Sequence, residues 1–262
     1  MQTNLELRFR YRSPGHIWHL VSMPMGEGWV VEERLLDQRV QYSLLDETGA
    51  PQWRVQPWPE RWWTQLAGVA GDCVLVREYK DDQSPEHQQL HALSVAHGKA
   101  EWAVDNFSLS ATSDTAIYGY LSTENGNKMA CVISQSGKVE EVKEWPLSDA
   151  ENIKREVPFL YREEEPEFAT VAAYIKLQNP EAVVVGGAEY REWDEGIGVS
   201  WYAKQPNGLL SNWLWWLSSG GDRQLSVKLA HDLKGIGQTT FWVQDKHLFY
   251  IQDKQELVGY AL

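Results

Sequence analysis

The chain has 262 residues, 43% of them hydrophobic and 23% charged, the make-up of a soluble globular protein with a sizeable core. Its 37 acidic against 24 basic residues leave a net charge of −13, a field that repels phosphate backbones and anionic lipid and so excludes nucleic acid and membrane from the expected partners. Fourteen Trp and eleven Tyr are out of the ordinary: such rings pack well across and between β-sheets, and they also serve as stacking platforms for sugars.

Taken in chain order, the N-terminal MQTNLELRFRYRSPGHIW has no basic region followed by a long apolar run. No secretory signal is expected, and no later segment approaches the length of a membrane span. LELRFRYR alternates from Leu5 to Arg12, predicting a strand with Leu5, Leu7, Phe9 and Tyr11 on one face. HIWHLVSM, WVVEERLL and RVQYSLLD follow as strands, parted by the breakers SPG and GEG. DCVLVREY leads to the polar tip KDDQSPEHQ and then to LHALSVAHGKAEW. Further strands are expected at TAIYGYLS, KMACVISQ, FATVAAYIKL, AVVVGGAEY, GIGVSWYAK, WLWWLSS, RQLSVKLA, TTFWVQD, HLFYIQD and ELVGYAL. No long amphipathic helix is expected. Residues 148–157, SDAENIKREV, predict one short helix with Ser148 as N-cap, Glu151 three residues on and Pro158 as its stop. Glu163, Glu164 and Glu165 read as a solvated loop. Cys73 and Cys131 lie in strand-like segments, which suits reduced, buried thiols in a cytoplasmic protein, although the sequence leaves a disulfide between them open.

A repeat underlies the strands. LLDETGAPQW and LSVAHGKAEW each place a Trp, Trp53 and Trp102, four residues after a turn glycine, Gly49 and Gly98. VISQSGKVEE repeats the turn at Gly137 with Glu141 in the Trp position, and WYAKQPNGLLSNW is a looser copy with Gly208 and Trp213. A turn glycine supplies positive φ for a tight reversal, and the aromatic after it fills the wedge between neighbouring sheets. Units of roughly 45 residues with four strands each predict an all-β propeller of about five to six irregular blades in one domain, residues 1–262. The alternative is two packed antiparallel sheets. LELRFRYR is expected to pair with ELVGYAL and so remove an exposed edge.

Ala92, Gly98, Lys99 and Trp102 in LHALSVAHGKAEW, and Asp46, Thr48, Gly49 and Trp53 in LLDETGAPQW, resemble the repeat of quinoprotein-like (PQQ-like) propellers. Ser94 and His97 depart from its Asp and Thr. The whole chain, above all EYREW at 189–193 and KGIGQTTFW at 234–242, resembles an uncharacterised bacterial propeller-like family with no assigned activity. These resemblances imply architecture and leave function blank.

No phosphate loop, dinucleotide fingerprint or serine nucleophile elbow occurs, and GVAGDC reads as a turn. His87 and His91 would share a strand face and His16 and His19 would not, and core or surface histidines are expected rather than a metal site. Trp58, Trp62 and Trp63 in PWPERWW, and Trp213, Trp215 and Trp216 in NWLWWL, divide between core and a candidate stacking platform. The expected function is a non-catalytic scaffold that binds a protein or small-molecule ligand at its channel mouth. Its candidate residues are Trp62, Trp63, Tyr79 and Asp81, with Glu189, Tyr190, Trp213 and Lys234 from the second half of the chain. The alternative is a carbohydrate-active hydrolase or lyase with paired carboxylates beside Trp platforms. A quinone-dependent dehydrogenase ranks last, because the chain is short for it and lacks an adjacent-cysteine pair. No cofactor and no metal are expected.

Overall fold

The structure, a computed structural model, describes residues 2–3, 5–26, 28–58, 62–79, 87–144 and 155–262. Packing divides the chain into two compact units, Ser13–Ile153 and Met1–Arg12 with Lys154–Leu262. Strands β1 (Gln2–Thr3) and β2 (Glu6–Arg12) open the chain and belong to the latter.

The unit Ser13–Ile153 contains three four-stranded antiparallel sheets in which chain order equals spatial order. The first is β3 (His16–Ser22), β4 (Trp29–Arg34), β5 (Val40–Leu45) and β6 (Pro51–Val55). The second is β7 (Thr64–Ala70), β8 (Cys73–Tyr79), β9 (His87–Ser94) and β10 (Ala100–Asp105). The third is β11 (Phe107–Thr112), β12 (Ala116–Thr123), β13 (Gly126–Ile133) and β14 (Val139–Glu141). One apolar core joins the first two sheets through Val30, Tyr42, Leu66 and Val76, and another joins the second and third through Leu75, Leu90, Ile117 and Val132.

The other unit carries β15 (Phe159–Arg162), α1 (Pro166–Gln178), β16 (Gly187–Trp193), β17 (Gly196–Lys204), β18 (Leu210–Leu217) and β19 (Arg223–Leu233). With β1 these strands form a six-stranded antiparallel sheet ordered β1-β19-β18-β17-β16-β15. Its second sheet is β20 (Phe241–Gln244), β21 (His247–Gln252) and β22 (Glu256–Ala261), completed by β2. The N-terminal strand therefore pairs with the C-terminal one, from Glu6 opposite Ala261 to Arg12 opposite Glu256, as the sequence predicts. The fold class is all-β, built from five blade-type antiparallel sheets of the propeller kind rather than from two.

The repeat has a physical basis in the unit Ser13–Ile153. All four turn glycines, Gly49, Gly98, Gly137 and Gly208, adopt positive φ. The Trp53 indole N–H donates to the Val95 carbonyl at 2.6 Å, and that of Trp102 donates to Ser134 at 2.7 Å. Each ring thus caps the turn of the following sheet, three residues before its glycine. A Cβ on Gly98 would meet Trp53 Cε3 at 3.0 Å, and one on Gly137 would meet Trp102 Cγ at 2.7 Å. The looser copy at Gly208 behaves otherwise. Gly208 faces open space, and Trp213 stacks on Trp201 of its own sheet at 6.4 Å.

Three expectations need correction. FATVAAYIKL is not a strand but most of α1: Pro166 sits at its start, where a missing N–H costs nothing, and Phe168, Val171 and Ile175 recur at helical spacing on the buried side. AVVVGGAEY enters a strand only at Gly187, after Gly186 at φ 73° and an exposed Val183. Leu7 leaves the face shared by Phe9 and Tyr11, because a bulge between Leu7 and Phe9 shifts the alternation by one residue. Most of the helix expected at 148–157 lies outside the described residues. Its end does not: Glu156 is extended and exchanges backbone hydrogen bonds with Val243 at 2.8 and 2.9 Å. The Glu163–Glu165 run is an exposed turn, as expected. Cys73 and Cys131 are free and buried. Among the described residues no helix is long and apolar enough to cross a membrane.

Candidate functional site

In β4 every residue from Trp29 to Arg34 is buried, so its three charged side chains must find partners inside the protein. Arg34 pairs with Glu32 at 2.5 Å and donates to the carbonyls of Trp62 and Thr64, at the entrance to β7. Glu32 also accepts the Leu66 N–H at 2.6 Å. Burial raises its carboxyl above the usual range, against the charge and hydrogen bond of Arg34 and the Leu66 N–H. Glu33 accepts from Gln41 Nε2 and Ser43 Oγ, both at 2.7 Å, and Tyr42 donates to Thr64 Oγ1 at 2.9 Å.

This network holds an aromatic surface in place. The Arg34 guanidinium carbon lies 4.7 Å from the Trp62 ring centre and 5.5 Å from that of Trp18, distances at which a cation is attracted to a ring face. Trp62 is half-buried, whereas Trp18 is 61% exposed and Trp63 46% exposed. A bulge between Ile17 and His19 turns Trp18 outward and leaves His16 and His19 both exposed, where unbroken alternation would have parted them.

The same frame recurs without the same chemistry. First strands β7 and β11 bulge at Ala67 and Ser110, the positions equivalent to Trp18. By this register Arg77 stands where Arg34 does and donates to the Leu109 carbonyl of the next sheet at 3.2 Å. The recurrence at Arg34, Arg77 and Tyr120, 43 residues apart each time, was the available sequence signal for this site.

Of the expected residues, Trp62, Trp63 and Tyr79 come together: the Tyr79 N–H donates to the Trp63 carbonyl at 2.8 Å and its hydroxyl to Gln65 Oε1 at 2.7 Å. Asp81 lies outside the described residues. His91 is buried, bonds Glu78 at 2.7 Å and packs on Trp58 at 4.3 Å, while the His87 side chain lies outside the described residues. No group of three His, Cys, Asp or Glu that could hold a metal occurs among the described residues.

In the other unit, Glu189 is fully buried and its oxygens accept from the Thr239 N–H and from the N–H and hydroxyl of Thr240. KGIGQTTFW is thereby anchored to β16, with the Gly237 N–H bonded to the Tyr202 hydroxyl at 2.8 Å. Lys234 is exposed at the start of that segment. Tyr190 is half-buried, donates to Glu192 and meets Tyr174 edge-on at 5.9 Å; burial and the Glu192 carboxylate push its hydroxyl up. Trp213 is covered by Lys228, whose Nζ lies 4.8 Å from its ring. Glu189, Tyr190 and Trp213 are engaged in packing, and Lys234 stands exposed apart from their contacts.

Burial pushes the Glu189 carboxyl above its ordinary 4.5, against the donors of Thr240 and Thr239. The folded state then binds this proton more tightly than the unfolded one. Stability from this group is complete below pH 4.5 and declines as pH rises through the folded value. Urea unfolding from about pH 4 to about pH 8 should therefore show a fall in stability that is shallower in Glu189→Gln. Parallel curves for the two proteins would show that Glu189 carries none of it.

No family model matches the chain, and no curated protein matches it. Among solved structures it is similar to BamB from Moraxella catarrhalis, at 10% identity and a TM-score of 0.35 over 95% of this chain and 85% of that one. A candidate TolB from Agrobacterium tumefaciens matches at 10% identity and a TM-score of 0.32 over 100% and 92%. A protein of unknown function from Bacteroides thetaiotaomicron matches at 8% identity and a TM-score of 0.36 over 99% and 74%. Likenesses at this level assign neither a family nor an activity.

Proposed function

We propose that the chain, acting as one domain with quinoprotein-like repeats, is a non-catalytic propeller scaffold that binds a protein or small-molecule ligand. The observation that carries this reading is the pair of solvent-facing rings Trp18 and Trp63, the first of them beside Arg34, whose terminal nitrogens are held by Glu32 and by the Trp62 and Thr64 carbonyls. Large exposed rings on a rigid support mark recognition surfaces. Free, buried Cys73 and Cys131 support a reducing, cytoplasmic compartment.

A hydrolase or lyase would need two carboxylates able to reach the bond being cleaved. Glu32, Glu33 and Glu189 are each fully buried and occupied by internal donors, which favours the scaffold over the enzyme. Release of reducing ends from a panel of α- and β-linked oligosaccharides tests the choice. The scaffold reading expects none above background. Turnover that disappears on substituting a carboxylate would replace it with the hydrolase.

A further inference from the structure

We propose that Tyr161, Tyr174, Tyr190 and Glu192 form a binding site for an alkylammonium group, the cation of a quaternary amine such as choline or of a methylated lysine. The site shares no residue with the Trp18 and Trp63 rings of the scaffold reading, so either stands without the other. Three successive elements build it. Phe168, Val171 and Ile175 seat α1 in one core with Ala188, Val199 and Trp201 of the sheet. Tyr174 lies one position before Ile175, at the margin of that seat, and is half-buried. On β16, Ala188, Tyr190 and Glu192 share one face and run from fully buried through half-buried to exposed. Tyr161 stands opposite Ala188 on β15 and packs on the same core. The Tyr174 and Tyr190 rings meet at 84° with their centres 5.9 Å apart, as two walls of a corner. Glu192 stands beside it and accepts a hydrogen bond from the Tyr190 hydroxyl. Burial, reinforced by Glu192, holds the hydroxyls of Tyr174 and Tyr190 above the ordinary tyrosine value, so both rings are neutral at physiological pH.

The electrostatics of this corner are incomplete. A carboxylate beside aromatic rings sets its charge against the negative faces of their quadrupoles. Seating a helix on a sheet uses the area of the rings but has no use for that charge. Among the described residues Glu192 has no ion-pair partner, and no cation lies over any of the three tyrosine rings. Arg191, its neighbour, leaves β16 on the opposite face and is held by Glu156 and the Val157 carbonyl. Arg162 and Lys176, close in the chain to Tyr161 and Tyr174, are exposed and pair with none of the four. A cation in the corner satisfies ring faces and carboxylate together. An alkylated ammonium suits it best, because its alkyl groups meet the rings and its weak hydration lowers the desolvation cost. One carboxylate is too few ligands for a metal ion.

Calorimetric titration at fixed ionic strength tests this, with choline, acetyl-trimethyllysine amide and the neutral alcohol in which carbon replaces the nitrogen of choline. At least one of the two cations should bind and the alcohol should not; the tighter cation identifies the source of the group. Glu192→Gln keeps an acceptor for the Tyr190 hydroxyl and should weaken binding about three- to tenfold. Glu192 is exposed, so this variant should melt with the parent and its loss is a loss of the site. Glu195→Gln, exposed in the turn after β16, makes the same change in net charge and should leave binding unchanged. Tyr174→Phe keeps the ring and should bind within about twofold of the parent, whereas Tyr174→Leu should lose about as much as Glu192→Gln. No binding of either cation, equal binding of the neutral alcohol, or equal weakening by Glu192→Gln and Glu195→Gln would overturn the proposal. Full binding by Tyr174→Leu would do the same. Each of these results leaves the scaffold reading, which stands on other rings, in place.

Discussion

Deletion of residues 1–12 should yield insoluble protein. The segment contains no hairpin turn and no Trp, yet β2 pairs with β22 along its whole length and supplies two fully buried rings. Phe9 and Tyr11 are 2% and 3% exposed, and Phe9 meets Phe249 edge-on at 5.9 Å. Gly259 is fitted to this contact: a Cβ there would lie 2.5 Å from the Phe249 ring and 3.0 Å from Phe9. Removing β2 uncovers the backbone edge of β22 together with an apolar socket, the combination that templates strand addition by another chain. β1, which pairs with β19 at the edge of the six-stranded sheet, goes with it. Lys234→Ala is the control, since Lys234 is exposed and the segment it opens is held through Thr239, Thr240 and Gly237 instead. Soluble yield and melting temperature of the two variants, measured side by side, decide the matter. A soluble truncation that melts with the parent would show that terminal pairing is dispensable.

Trp102→Ala should destabilise the protein by about 3–5 kcal/mol, the range for deleting a large aromatic from a packed site. The ring packs against the core between the second and third sheets, and its N–H satisfies the Ser134 carbonyl. Trp102→Phe separates the two contributions: it retains most of the apolar contact and should lose roughly 1 kcal/mol for the hydrogen bond, plus whatever volume is left unfilled. Gly137→Ala probes the same joint from the other side. Its positive φ of 68° and a Cβ only 2.7 Å from Trp102 Cγ make alanine costly there twice over. Trp53→Ala should behave like Trp102→Ala, because Trp53 has the equivalent role in the preceding sheet. Urea midpoints unchanged in both Trp→Ala variants would mean that these rings do not join the sheets.

The strands and their repeat were legible because they depend on neighbours in sequence. Alternation writes a strand locally, and positive φ at Gly49, Gly98 and Gly137 marks each reversal where it occurs. Terminal pairing was legible too, since the alternating strand LELRFRYR and the apolar strand ELVGYAL at opposite ends of one chain would each leave an open edge without the other. FATVAAYIKL misled because its apolar residues satisfy periods of both two and 3.6. Packing of Phe168, Val171 and Ile175 against the neighbouring sheet decided for the helix. The bulges at Leu7–Phe9 and Ile17–His19 were invisible for a related reason: an inserted residue has no composition of its own, and only the partner strand's register reveals it.

The candidate site divides along the same line. Aromatic richness at Trp62 and Trp63 stands out in the sequence. That Arg34, 28 residues before Trp62, holds it with Trp18 around one cation does not, since side chains from β4, β3 and the start of β7 meet only once two sheets pack. Glu189 shows the converse. In sequence it is one carboxylate among 37 acidic residues that could face a ligand; its donors arrive from 50 and 51 residues away and place it in the interior. Local periodicity sets which way a side chain leaves its strand, but whether it then meets water, a ring or a counter-charge is decided by chain that is distant in sequence and close only in the fold.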